Sequence, residues 1–221
     1  MRTVVIGDIH GCYHKLKSML DHLLSEGKYT PGTDRLIFLG DYVDRGENPR
    51  EVVRMVRNLQ ENYGNVIALM GNHEDMMIDY YYEKGYTWDL NGGEITRQSY
   101  IDHDDELRDD LDWMENLPLY FEDDNFSYVQ AGVDVTKPLN EQYRDDLLWI
   151  RDEFLWSTKR YTKTIIFGHT PTQYCTGKTL PFYTPAGHIG IDTGCVYSGV
   201  LTALFIEDGR VQDYYQTKKS D

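Results

Sequence analysis

The chain has 221 residues, 40% of them hydrophobic, which suits one large α/β core better than two ordinary domains. Its 22 Lys and Arg against 37 Asp and Glu give a net charge of −15, which argues against a general nucleic-acid binder. No window approaches 18 continuous apolar residues, and Cys12, Cys175 and Cys195 form no CxxC pair, so neither a transmembrane helix nor a disulfide framework is expected.

The first residues enter a strand directly, without a charged segment, a long apolar stretch and a cleavage site. The reading is therefore a cytoplasmic protein with reduced thiols, no signal peptide and no membrane partner. Thr3-Val4-Val5-Ile6 is the first expected strand, followed by Gly7-Asp8-Ile9-His10-Gly11. Leu16, Met19, Leu20, Leu23 and Leu24 then fall on one helix face. Leu36-Ile37-Phe38-Leu39 is a second strand, ending in Gly40-Asp41-Tyr42-Val43-Asp44-Arg45-Gly46. Asn48, Pro49 and Glu51 read as the N-cap, N1 and N3 of a helix whose buried stripe is Val52, Met55, Val56 and Leu59. Val66–Met70 is a third strand, ending in Gly71-Asn72-His73-Glu74-Asp75. Asp8 to Asp41 spans 33 residues and Asp41 to Asn72 spans 31, each fitting one strand–helix–strand unit.

Residues 75–118 are rich in Tyr, Asp and Glu and read as a partly helical cap inserted into a single domain covering 1–221. The acidic run from His103 to Asp112 is expected on a solvated face. Strands return at Phe126–Val129, Thr164–Phe167, His188–Ile191, Leu201–Ile206 and Val211–Tyr215, with Asp208-Gly209 as a hairpin turn. Residues 139–156 read as helical, and the Lys218–Asp221 tail as frayed.

Buried strands that each end in glycine and a metal-binding residue point to one site built from several loops, because functional groups gather at the carboxyl ends of such strands. Asp8, His10, Asp41 and Asn72 offer carboxylate, imidazole and amide oxygen, and His169 follows the strand Thr164–Phe167 in the same way. That mixture of O and N donors suits Mn, Fe or Zn, and there are more donors than one tetrahedral ion needs. A carboxylate such as Asp41 can bridge two ions, which together activate a water and clamp a phosphoryl group. Arg45 is placed to fork onto phosphate oxygens, His73 to protonate a leaving oxygen, and Asp44 to orient His73.

The blocks GDIHG, GDYVDRG and GNHED, in this order and spacing, resemble the phosphoprotein phosphatase family of dinuclear metallophosphoesterases. The segments Leu147–Phe154, Phe167–Pro171 and Ile191–Gly194 are similar to its bacterial branch, which includes Ser/Thr phosphatases and symmetrical diadenosine tetraphosphate hydrolases. The resemblance implies an αββα sandwich of the calcineurin-like metallophosphoesterase type. It implies one metal on Asp8, His10 and Asp41, and a second on Asp41, Asn72, His169 and a further histidine. That histidine belongs to a Val-His-Ala-Gly segment, and here the segment is Val129-Gln130-Ala131-Gly132. A Gln130 amide oxygen is a weaker ligand for most transition metals, though suited to a hard ion such as Mn²⁺. Phosphate contacts map onto Arg45, Asn72 and Arg151, with Tyr197 resembling an active-site tyrosine.

Taken singly, Asp8, Asp41 and Asn72 read equally well as helix N-caps, and Arg151 as half of a structural salt bridge. Gln130 reads equally well as an amide at the core edge. His14, His22, His103 and His188 read as surface or loop residues, Cys12 and Cys195 as small packing residues, and Tyr80-Tyr81-Tyr82 as helix packing beside the site. Together the residues point to a phosphatase with two divalent ions, Mn²⁺ first. Its phosphomonoester substrate is a phosphoserine or phosphothreonine protein or peptide, or a small molecule, and a metal-bridged hydroxide attacks phosphorus. The first alternative is diadenosine polyphosphate hydrolysis; the second is a phosphate-binding module that has lost turnover through Gln130.

Overall fold

The computed structural model describes residues 1–217; the tail expected to fray lies outside them. The first half runs β1 (Thr3–Ile6), α1 (Tyr13–Ser25), β2 (Arg35–Phe38), α2 (Pro49–Asn62), β3 (Val66–Ala68) and α3 (Asn72–Tyr81). A single 3-10 turn at Asp89–Asn91, α4 (Gly93–Ser99) and α5 (Asp104–Glu115) follow. Then come β4 (Tyr120–Glu122), β5 (Phe126–Val129), α6 (Arg144–Trp149), α7 (Asp152–Leu155), β6 (Thr164–Phe167) and α8 (Thr172–Thr176). The remainder is β7 (Phe182–Tyr183), β8 (Ile189–Gly190), α9 (Cys195–Ser198), β9 (Thr202–Glu207) and β10 (Arg210–Gln216).

The strands form two five-stranded sheets, ordered β10-β9-β1-β2-β3 and β4-β5-β6-β8-β7. Their near-continuous apolar sequences are explained by burial on both faces, with alternate residues serving different cores. Val5, Ile37 and Leu204 lie side by side in register and enter the core between the sheets. Tyr128, Ile166 and Ile189 meet them from the second sheet. Val4, Ile6, Leu36 and Phe38 point the other way, packing with Leu16, Met19, Val52 and Val56 of α1 and α2. Ile165 and Phe167 do the same on the far side, against Leu147, Phe154 and Leu155 of α6 and α7. Helices therefore cover both outer faces, as an αββα sandwich requires.

Several sequence expectations need correction. Leu24 is 49% exposed, because the α1 stripe closes with Leu23. Asn48 stands at the N-cap of α2 but makes no side-chain cap bond. Met55 and Leu59 are only partly buried, and Val53 joins the stripe instead. Asp110 does not lie on a solvated face: it is buried between Arg57 Nη1 at 3.0 Å and Tyr100 Oη at 2.8 Å. Residues 139–156 are not one helix; Arg151, at φ −131° and ψ −101°, breaks α6 from α7. His188 is buried and stacks on Phe154 at 5.2 Å between centroids. The edge strands β4 and β7 lie outside the expected strands. Asp208 and Gly209, with φ 52° and 69°, make the expected β9–β10 turn.

Candidate active site

The loops leaving β1, β2 and β3 meet those leaving β5 and β6 at one edge of the sandwich. Asp41 carbonyl oxygen accepts the Ile9 and His10 N–H groups, tying the first two loops together. Asp8 Oδ2 crosses between the sheets, accepting His169 N–H at 2.9 Å and Gln130 Nε2 at 3.1 Å. Space here admits no extra atom: a Cβ on Gly168 would collide with Asp8 Oδ1, and one on Gly71 with Asp41 N. Eight described non-glycine residues have positive φ, and five of them are His10, Asp41, Asp44, Arg45 and His169. Each costs of order 1–3 kcal/mol of strain, concentrated where the chemistry is.

Ring hydrogen bonds fix which nitrogen faces the site. His10 Nδ1 donates to Val43 carbonyl oxygen at 3.0 Å, leaving Nε2 as a lone pair 3.4 Å from Asp41 Oδ2. Arg45 Nη1 donates to that same Nε2 at 2.7 Å. His73 Nδ1 donates to Asp44 Oδ2 at 2.6 Å, which turns Nε2 toward the site. His10, Asp41 and His73 offer ligand atoms within 4.8 Å of one another, so His73, expected only as a proton donor, also stands among potential metal donors. His169 Nδ1 lies 2.9 Å from Asn72 Oδ1.

The electrostatics favour a cation. Burial first, then Asp192, pushes Asp8 well above the usual carboxylate range, and burial with Asp8 and Glu74 does the same to Asp41. Burial pushes His10, His73 and His169 well below the usual imidazole range, helped by Arg45 or Arg151. Asp8 Oδ1 and Gln130 Oε1 are buried without a hydrogen-bond partner. Buried oxygens of this kind are costly unless something electropositive meets them. Neutral imidazoles, crowded carboxylates and unpartnered oxygens together suit divalent ions with mixed O and N ligands.

Arg45, Asn72, His73, Arg151 and His169 line a cavity of about 180 Å³, with Trp149, Tyr174 and Tyr197 at its walls. A larger groove of about 490 Å³ beside Tyr120 and Lys137 holds none of these groups. Besides its bond to His10, Arg45 lies 5.8 Å from the Tyr197 ring centroid, and Arg151 Nη1 donates to Thr170 Oγ1 at 3.0 Å. No structural salt bridge to Arg151 is seen among the described residues.

Every site residue named from sequence is at this edge, Gln130 included. None of Asp8, Asp41 and Asn72 is a helix N-cap; Cys12, Asn48 and Gly71 hold those positions. Sequence reading missed four supports. Glu74 is fully buried, and its carboxylate accepts N–H groups from Asp41, Tyr42, Val43 and Gly71. Asp192, held by Gly194 N–H at 2.8 Å and pushed up to about 6 by burial, faces Asp8. Trp88 and Thr96 from the insertion contact Asp44.

A family model for calcineurin-like phosphoesterases matches residues 1–201, and the chain belongs to that family. The chain is thus a metal-dependent phosphoesterase with the mixed α/β fold of the family. It is similar to a protein named serine/threonine-protein phosphatase 2 from Salmonella typhimurium, with 34% identity covering 92% of each chain. It is also 36% identical, over 62% of its own length and 45% of the relative's, to a symmetrical bis(5'-nucleosyl)-tetraphosphatase from Erwinia tasmaniensis. Among solved structures, a serine/threonine phosphatase from Saccharomyces cerevisiae shares the fold, with TM-score 0.70 and 16% identity, covering all of this chain and 81% of that one.

Proposed function

We propose that the chain is a cytoplasmic phosphomonoesterase acting on phosphoserine or phosphothreonine peptides or on small phosphoesters. Residues 1–221 work as one catalytic domain carrying the insertion at 75–118. Two divalent ions, Mn²⁺ first and Fe or Zn next, are held by Asp8, His10, Asp41, Asn72, His169 and Gln130. When bound they supply Lewis acidity that makes water nucleophilic at neutral pH.

The chain's own groups do the rest. Arg45, Arg151 and Asn72 line the cavity; the two guanidiniums neutralise the phosphoryl oxygens, and the Asn72 amide can donate to one of them. Burial and Arg45 oppose charge on His73. An incoming phosphate dianion would offset Arg45, and the Asp44 carboxylate 2.6 Å from Nδ1 would favour the imidazolium, so in this reading His73 takes up a proton from solvent as substrate binds. Its Nε2 then delivers that proton to the leaving oxygen, while Asp44 holds the ring.

The observation that carries this reading is the pair of buried, unpartnered oxygens on Asp8 and Gln130 beside a cavity holding two arginines. The relatives' names and the rings of Trp149, Tyr174 and Tyr197, which can stack on a base, favour dinucleoside polyphosphates as a second substrate class. The test is p-nitrophenyl phosphate hydrolysis by chelator-stripped protein titrated with Mn²⁺, beside an Asp41→Asn control. Metal-dependent turnover that falls in the control supports the reading. Phosphate binding without turnover at any Mn²⁺ level leaves a binding module. A phosphopeptide and diadenosine tetraphosphate, compared side by side, then rank the substrates.

A further inference from the structure

The insertion reaches the site through one residue. Asp44 is fully buried, and both its oxygens are used. Besides His73, it accepts Trp88 Nε1 at 3.0 Å and 2.9 Å, and Thr96 Oγ1 at 2.7 Å. The Thr96 hydroxyl also accepts Asp44 N–H at 2.9 Å, so one side chain grips both backbone and carboxylate. Gly92 carbonyl oxygen accepts the next N–H, that of Arg45, at 3.3 Å. Asp44 and Arg45 sit at φ 72° and 68°, a conformation that needs outside support.

The support is itself braced. Trp88 is fully buried, with Tyr80 and Tyr81 rings 5.1 Å and 5.7 Å away. Those tyrosines end α3, the helix that begins with Asn72 and His73. Gly93 lies against the indole so closely that a Cβ there would strike it at 2.5 Å. Helix α3 therefore carries His73 at one end and the bracing for Trp88 at the other, and Trp88 returns to the Asp44 that holds His73.

We infer that Trp88 and Thr96 are positioning residues, which hold the Asp44 carboxylate in one orientation and so align His73 to protonate the leaving group. This rests on the phosphatase reading above. Without the two donors the Asp44 carboxylate keeps a single side-chain partner and is free to turn, and His73 loses its fixed ring. The loss falls on substrates whose leaving group needs a proton.

The experiment compares p-nitrophenyl phosphate, a good leaving group, with a phosphoserine peptide, whose alkoxide must be protonated. Thr96→Val keeps the shape and removes the hydroxyl; Trp88→Phe removes the indole N–H. The expected result is a kcat on the phosphopeptide lower by about tenfold or more. KM, Mn²⁺ affinity by calorimetry and p-nitrophenyl phosphate turnover stay near wild type, and Thr96→Ser restores the peptide activity. An equal loss on both esters, or a loss that tracks weaker metal binding, overturns the inference. The ¹⁵N shifts of the His73 ring supply a readout without turnover: Thr96→Val should move the Nδ1 signal away from its hydrogen-bonded position, and an unmoved signal counts against the inference. A wild-type chain silent on both esters overturns the phosphatase reading, while the His73 spectrum still decides the positioning claim. If Trp88→Phe fails to fold, Thr96→Val carries the test alone.

Discussion

Gln130 is the residue whose chemistry differs from the resembled pattern, and the structure gives it one fixed contact. Its Nε2 donates to Asp8 Oδ2, and that bond turns Oε1 into a buried place with no other partner. A neutral amide oxygen is a weak ligand for borderline metals, where imidazole is a strong one. On the proposed ligand set, Gln130→His should therefore tighten Mn²⁺ binding at the Gln130 position, and Gln130→Leu should loosen it by about tenfold or more. Titration calorimetry of chelator-stripped protein reads both changes; identical isotherms for all three proteins would show that Gln130 is only a core amide. Glu74 allows a second test. Oε1 accepts two N–H groups and Oε2 two more, so in Glu74→Gln the amide nitrogen must face donors. The expected cost is about 3 kcal/mol, seen as a lower urea midpoint with unchanged slope.

These residues also show where sequence reading stops. Asp8, His10, Asp41, Asn72 and His169 were legible because each follows an apolar strand that ends in glycine. Glu74 was not, since an acid in the first turn of a helix is common for its own sake. Its grip on three distant N–H groups, those of Asp41, Tyr42 and Val43, depends on loops that approach each other only after folding. Nor does the residue type announce left-handed backbone at His10, Asp41 or His169.

Among the elements, strands with two-sided burial were read correctly, because continuous apolar runs survive whichever core each residue enters. The region 139–156 was not, since its periodicity continues through Ile150 and Arg151, where the chain turns to bring Arg151 to the cavity. A requirement of the site overrides helix propensity there. Preceding β8, His188 escaped detection because one histidine beside a short strand carries no pattern. Its Nδ1 accepts Ile165 N–H at 3.1 Å, joining the two strands, and burial pushes it down to about 4. A histidine with a depressed pKa contributes stability that is present above its unfolded value near 6.5 and lost as pH falls through 4. The stability difference between wild type and His188→Leu should therefore shrink as pH is lowered from 7 to about 4.5. Thermal melts at both pH values read it, and a gap that stays constant refutes the assignment.

At the scale of the whole molecule, a chain of net charge −15 buries Asp8, Asp41, Asp44, Glu74 and Asp192 at one edge. Burial pushes Asp44 and Glu74 up to about 7 and Asp192 to about 6. A raised carboxylate contributes stability that is fully present below its unfolded pKa and is lost as pH rises through the folded one. In the metal-free chain this group of acids becomes a liability between about pH 4 and pH 7. A divalent ion reverses that sign. It binds the deprotonated ligands, so protons and metal compete, and its stabilisation must grow with pH. The imidazoles add little to this slope near neutrality, because burial already keeps His10, His73 and His169 neutral there. At Mn²⁺ about 100 times its dissociation constant, one site contributes about 2.7 kcal/mol. For a domain of this size that is a rise in Tm of about 5–10 °C. Scanning calorimetry with chelator and with Mn²⁺, at pH 5.5 and at pH 8, should show the larger shift at pH 8. Asp41→Asn, which removes a carboxylate from the proposed metal site, should abolish most of it at either pH. An equal shift at the two pH values, or one that survives Asp41→Asn, would mean that Mn²⁺ binds the acidic surface and not this edge of the sandwich.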